Sequence, residues 1–450
     1  MGTRRPAVVK RLGTFLVLVS GAIVAAAQLA DSTAADWGPQ SGTVTWSLTD
    51  HGLQWRTPQA TIELDPMFSI RGLSGPPQAA WASQTPGLDN LRGASFRATL
   101  DGRWTVVGSL EEFQGVPSAV DAYWMSENAS NPSTVAVPGW GRAKVTGALS
   151  GIDVARARGT MVHGQTLRNG DSLFVQLAYA PLAWGDLPRA LTLDAEAASY
   201  PSATLTWHPA QAWSLAGTVA RWVGVERSLL GGSTESLFRQ TNAGWLAATW
   251  NPLDAWTCGV LVGAASPLAW TYESDSTTTS HAFASLQASW SPAWGGTMAG
   301  EWASTQGWGV AWTAPIGKAC VAMASVARTH DNESWMSNAG VPVSGTFNPS
   351  WDESPRTWLE GGLSWRHQRW SAWTSLRSSG ESLWVEAMAG WLLQSAWPLH
   401  VTAGWERWRV ADHPWMSPRG TRFRLGVSHA LSLGAGGKRV LPCPQQPTQP

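Results

Sequence analysis

Charges that stand inside apolar, alternating stretches are the first places where this sequence could do chemistry. Asp153 and Arg189 are two of them, with Arg142, Arg156, Arg158 and Asp186 nearby in the chain. A charge carried by a strand into apolar surroundings is costly unless it is paired or hydrated. Each of these residues must therefore meet water, a ligand or an opposite charge. Two chemistries fit: binding of a polar ligand, with Asp153 and Arg189 as the lead candidates, or an internal ion-pair ladder that fixes shape. Arg156 and Arg158 are two residues apart, so strand alternation puts them on one face. There they would tune the anion preference of a channel. Tryptophan faces offer a second chemistry, stacking on sugar C–H surfaces. Trp184, in the same stretch, and Trp335 and Trp351, in a long polar stretch, are the candidates for it.

Catalysis finds little support. The nine histidines are scattered and form no His-x-x-x-His or Cys–His metal spacing. There is no G-x-S-x-G turn and no phosphate-binding glycine loop. His281, after a Ser/Thr run, is the single candidate for a hydrolase-like rim histidine. The expectation is a non-enzyme with no metal and no cofactor. Lys and Arg total 31, as do Asp and Glu, and basic residues are not interleaved with aromatics, so nucleic acid is not an expected partner. Three cysteines do not make a disulfide scaffold. Cys258 and Cys320, in apolar strand-like contexts, are expected to be buried thiols.

The elements that must carry these residues are strands. Trp250 and Trp256 bracket a short proline-containing turn, with alternating residues running away on both sides. Trp207 and Trp213, Trp290 and Trp294, Trp365 and Trp370, and Trp391 and Trp397 repeat the pattern. Amphipathic rings at hairpin ends suit a membrane–water boundary. The opposite connections are mostly long and polar, over 224–240, 270–280, 329–356 and 410–420, with 303–306 a short exception. Short turns on one rim and long loops on the other are how outer-membrane barrels are built. The sequence therefore predicts an all-β, transmembrane antiparallel outer-membrane β-barrel of about 18 strands (16–20). A hairpin over 94–110 and sixteen further strands, from 142–149 to 420–431, make up that number.

Composition agrees. Trp is 32 of 450 residues while charged residues are 14%, where soluble domains carry roughly 25%. The alternative is a soluble secreted β-protein that uses tryptophan to bind carbohydrate. The N-terminus reads as a signal peptide over 1–27: a basic start at Arg4, Arg5, Lys10 and Arg11, an apolar run from Leu12 to Val24, and Ala25-Ala26-Ala27. That run is shorter than the roughly 20 residues a membrane helix needs. Residues 28–93 are expected to be a periplasmic lead-in or the first strands, 94–434 the barrel, and 435–450 a disordered Pro/Gln-rich tail. The expected location is the outer membrane. The expected partners are its lipid, the barrel-assembly machinery and either a surface polysaccharide or small solutes.

Residues 137–201 carry a resemblance. Val137-Pro-Gly-Trp-Gly141, Lys144 and Asp153 to Gly159 are followed by Gly185, Arg189, Leu191, Leu193, Ala197, Tyr200 and Pro201. This order is similar to the capsule-assembly Wzi-like outer-membrane family, with Ser199 where the pattern has proline. The resemblance implies an 18-stranded barrel closed by loops that holds polysaccharide at the cell surface. The alternative for the same barrel is a porin-like channel or uptake pore for small solutes.

Overall fold

The computed structural model describes residues 45–49, 52–74, 87–119, 122, 134–137, 140–146, 151–167, 170–187, 191–193, 197–210, 212–227, 238–267, 280–293, 295–304, 307–317, 319–329, 357–367, 369–379, 382–394, 399–410 and 418–429. The chain divides into two compact units, 1–45 with 56–58, and 46–55 with 59–450. Of the first unit only residues 45 and 56–58 are described.

The strands are β1 (Thr45–Thr49), β2 (Gly52–Arg56), β3 (Ala60–Ser74), β4 (Gly87–Leu100), β5 (Trp104–Gly115), β6 (Thr134–Val137) and β7 (Gly141–Thr146). Next come β8 (Gly151–Thr166), β9 (Ser172–Tyr179), β10 (Pro201–Ala210), β11 (Trp213–Arg227), β12 (Phe238–Leu253), β13 (Trp256–Pro267) and β14 (His281–Trp290). Then follow β15 (Thr297–Ala303), β16 (Gly307–Ile316), β17 (Cys320–Thr329), β18 (Thr357–His367), β19 (Trp370–Ser379), β20 (Ser382–Gln394), β21 (Leu399–Arg409) and β22 (Arg419–His429). Eighteen of these pair antiparallel with their neighbours in a ring: β3 to β5, then β8 to β22, closed by β22 on β3. Closure leaves the ring without an edge, so its backbone groups are satisfied within the sheet.

The predicted number holds, but its membership changes. Stretch 142–149 is not one of the strands that close the ring. Its first part is β7, which forms a hairpin with β6 and pairs with the end of β8 over Gly151 to Asp153. The ring instead includes β3, which lies within residues 28–93. The signal stretch 1–27 and the tail 435–450 lie outside the described residues.

Alternation sorts the wall into two faces. Most outward-facing side chains are apolar, and many are exposed, including Val219, Leu246, Leu253 and Leu425 at 64–66%. A soluble β-protein would not present such a continuous apolar face to water. On β13 the outward residues run from Trp256 through Val260 and Val262 to Ser266. That is about 33 Å of strand, or roughly 25 Å along an axis tilted by about 40°, the height of a membrane barrel's apolar band. The fold is therefore a transmembrane antiparallel β-barrel.

The short-turn rim carries tryptophans in cross-strand pairs. Trp213 stacks on Trp250 at 5.7 Å, Trp256 on Trp290 at 5.9 Å and Trp370 on Trp391 at 5.8 Å. Each pair is directly opposite in register, so the two rings that bracket a turn stack on different neighbours. Trp207 and Trp365 also face outward near this rim. Trp294 and Trp397 lie outside the described residues. Cys258 and Cys320 are free and only half-buried, because their positions in β13 and β17 point outward and not into the core.

Candidate functional site

The inward face is where polar groups collect, and two connections fold into it. One follows β5. Residues 116–119 leave the wall and run along its inner face toward β22 and β21, and the Ala122 N–H donates to Ser118 O at 2.8 Å. Val116 N–H donates to Asp89 Oδ1 at 2.8 Å, and Ala119 N–H donates to Glu406 Oε2 at 3.0 Å. Arg422 Nη2 donates to Pro117 O at 2.7 Å. The β6–β7 hairpin then packs on the inward residues of β4, β5 and β8. Val137, Trp140 and Ala143 are buried against Leu91, Phe113, Ile152 and Val154.

The second inward connection links β9 to β10. It is the later part of the stretch that carries the family resemblance. Its described residues form no strand. Leu191-x-Leu193 runs through the lumen with both leucines buried. Trp184 is also buried there, its indole N–H donating to Ser285 Oγ at 3.3 Å. Leu191 N–H and Thr192 N–H both donate to the carboxylate of Glu301, at 2.7 and 3.0 Å. Ser289 hydrogen-bonds the Asp186 carboxylate. Tyr200 turns its hydroxyl to accept the Leu182 N–H at 3.0 Å.

Small wall residues make room for this segment. Gly309 lies against Leu187 and Leu191, and a Cβ at Gly259 would come within 3.0 Å of Trp184. Gly185 has φ +89°, a conformation that favours glycine, and any side chain there would run into Gln287.

The two connections meet opposite walls of different character. On β11 to β14 the wall is aromatic. Trp222 stacks on Trp245 at 6.2 Å and lies 5.9 Å from Phe283, and Trp184, Leu193 and Tyr200 pack onto this group. From β18 round through β22 to β8 the wall is charged. Glu360 pairs with Arg377 at 2.9 Å, Arg71 with Asp89 at 3.3 Å, and Glu111 with Arg156 at 2.6 Å. Glu406 takes both Arg422 and, at 3.1 Å, Arg424, which also lies 3.7 Å from Glu386. Arg422 is 1% exposed, so this group is sealed from solvent. Charges so deeply buried are tolerated only when paired and hydrogen-bonded. On this charged wall Trp358, Trp384 and Trp408, from β18, β20 and β21, also point inward and pack with Leu191, Ala119 and Ala122. Both connections thus touch one apolar cluster. Nearer the short-turn rim the inward positions are half-buried hydroxyls such as Thr206, Thr249, Thr257, Thr313, Ser364 and Ser371.

The residues singled out from sequence are scattered through this arrangement. Arg156 faces inward, ion-paired with Glu111 and stacked 4.2 Å over the Trp140 ring. Arg158 points the same way, beside Ser109. Asp153 lies on the outward side of β8 at its long-connection end, opposite Gln114 and Lys144. It stands at a rim and away from the lumen. Arg142 lies in β7 opposite Ala136. Arg189, Trp335 and Trp351 lie outside the described residues, and His281 is the first residue of β14. Among the described residues no group of three or more His, Cys, Asp or Glu is placed to hold a metal.

Several of the best-anchored residues were not anticipated: Glu301, Glu406, Arg422, Arg424, Arg71 and Asp89. A signal for them was present, since each breaks an alternating strand on its inward parity. Glu406, for example, follows Thr402 and Gly404 on one face while Val401, Ala403 and Trp405 occupy the other.

No family model matches the sequence, and no curated protein matches it. Solved structures of similar fold exist at low identity. OccK9 (OpdG) of Pseudomonas aeruginosa is 11% identical, with a TM-score of 0.44 over 82% of this chain and 97% of that one. Wzi of Escherichia coli, described as an outer membrane protein involved in group 1 capsule assembly and a carbohydrate binding beta-barrel, is 10% identical, with a TM-score of 0.40 over 80% and 83%. OmpF of Salmonella typhi, in a complex with daunomycin, is 8% identical, with a TM-score of 0.39 over 82% and 98%. Wzi is thus one distant barrel among several, and membership of its family does not follow. The assignment as a barrel rests on this chain's own strand pairing.

Proposed function

We propose that this chain is an outer-membrane barrel that passes small polar solutes through a lumen narrowed by its two inward connections. The observation that carries the reading is the pair of connections bound to the wall through Glu301 and Glu406, above a hydroxyl-lined stretch of lumen. A barrel of 16–18 strands is wide enough for an aqueous channel. Segments tied across it by a few hydrogen bonds set its bore. The signal-like stretch 1–27 would deliver the chain to the envelope, where the barrel-assembly machinery and outer-membrane lipid are its partners. Planar-bilayer recording tests the reading. Wild type is expected to give small, discrete conductance steps, and Glu301→Ala larger ones. A folded, heat-modifiable barrel that conducts in neither form overturns it.

A second reading is retention of a surface polysaccharide, as the sequence resemblance implies. It is favoured by one observation: described residues of the stretch that carries the resemblance, Leu191, Leu193 and Tyr200, are packed into the lumen. Glycan-array binding by a non-conducting barrel would support this reading over the first.

A further inference from the structure

The outward face of the ring carries its charge in a one-sided way. Among the described ring residues, outward-facing charged side chains occur only in the half of each strand nearer the long connections. The two acids, Glu112 and Asp153, stand close to Arg92, which holds Glu112 through bonds of 2.9 and 2.7 Å. The others are arginines, densest on β21 and β22. There the last outward apolar pair is Trp405 opposite Phe423, 39% and 60% exposed. The next outward pairs are Arg407 opposite Thr421 and Arg409 opposite Arg419.

These arginines lie about 7 and 13 Å beyond the Trp405 pair along the strands. An exposed tryptophan at the end of an apolar band marks headgroup depth, so the arginines stand at and just above it. All three are exposed, and among the described residues Arg407 and Arg409 have no carboxylate partner. They line a cleft of about 360 Å³ with Trp408, Gly420 and Thr421. The outward residues of β20 alongside, Leu383 and Val385, are apolar. A cationic cleft beside an apolar wall therefore offers a fork for phosphate and a surface for acyl chains in one place. Guanidinium groups match phosphate oxygens bidentately, and basic groups at a membrane surface collect anionic headgroups.

We propose that Arg407, Arg409 and Arg419 form a binding site for a phosphate-bearing lipid headgroup in the leaflet on the long-connection side. The site rests on the membrane reading given above. It does not depend on what the lumen conducts.

Native mass spectrometry of the full chain in neutral detergent tests it, with phosphatidic acid, phosphatidylcholine and inorganic phosphate as separate probes. Wild type is expected to retain phosphatidic acid at least tenfold more tightly than phosphatidylcholine, with the preference falling as salt rises. The triple variant R407Q/R409Q/R419Q is expected to lose the preference, while R221Q/R328Q, altered at outward arginines elsewhere, keeps it. Equal binding of both lipids by wild type, or an unchanged preference in the triple variant, overturns the site. Full displacement by millimolar inorganic phosphate also overturns it, as a free-anion site without lipid selectivity. Should the triple variant not fold, R409Q alone, at an exposed position, is expected to weaken the preference severalfold. Heat-modifiable migration of wild type is read separately. Its absence sinks the membrane reading, whereas a heat-modifiable barrel without lipid preference sinks only the site.

Discussion

The two connections that enter the lumen are held by opposite kinds of chemistry. Residues 116–119 are fixed by charge: Glu406 takes the Ala119 N–H, and Arg422 reaches Pro117 O from the same buried group. Residues 180–200 are fixed mainly by packing, with Trp184, Leu191, Leu193 and Tyr200 set against the wall and one carboxylate, Glu301, at the crossing. The difference predicts how each fails. A buried charge cluster is compensated only as a whole, so losing one member strands the others. A packed segment loses stability in steps, because neighbours relax into part of the space left behind.

The largest effect should come from Glu406→Ala. It leaves Arg422 and Arg424 facing each other without their shared carboxylate and removes the acceptor of the Ala119 N–H. About 3–5 kcal/mol of stability should be lost, read as a lower denaturant midpoint of the folded barrel in lipid vesicles. Leu191→Ala should cost less, about 2–3 kcal/mol, at the low end for a buried leucine because the segment can settle into the gap. If Leu191→Ala proves the more damaging, the contrast between the two anchors fails. Glu301→Gln keeps an acceptor for the Leu191 and Thr192 N–H groups but not the charge that strengthens both bonds. A cost of about 1–2 kcal/mol is expected, together with noisier single-channel traces.

This contrast was only partly legible in the sequence. Wall strands could be read because their period of two is enforced by lipid outside and lumen inside, as in Ala282 to Trp290. The same period also misled. Residues 142–146 alternate like a wall strand, but a short hairpin paired to the end of β8, with one face packed on inward residues of β4, β5 and β8, alternates too. Conversely β3, where Asp65-Pro66-Met67 interrupts the alternation, reads from sequence equally as lead-in or first strand. Glu301 and Glu406 could be seen to point inward, but not to hold anything. Their partners lie 110 and 287 residues away along the chain, and no local pattern reports a contact at that separation. The tryptophans divide in the same way. Trp250 and Trp256 sit beside a turn that marks the rim, whereas Trp222, Trp245, Trp358, Trp384 and Trp408 face inward by parity alone.

The smallest predicted effect tests the packing side of the contrast at a single hydroxyl. Tyr200 is 2% exposed, and its hydroxyl accepts the Leu182 N–H at 3.0 Å. Tyr200→Phe keeps the ring and its contacts with the aromatic wall and removes the hydroxyl that accepts the Leu182 N–H. If packing holds the segment, the loss should be about 1 kcal/mol, the cost of one unsatisfied backbone group, and conductance should stay at the wild-type level. A loss near that of Glu406→Ala, or a newly opened channel, would mean that this hydroxyl anchors the segment as Glu406 anchors its counterpart. The two connections would then be held alike, by polar bonds at single points, and the aromatic wall would serve as filling around them.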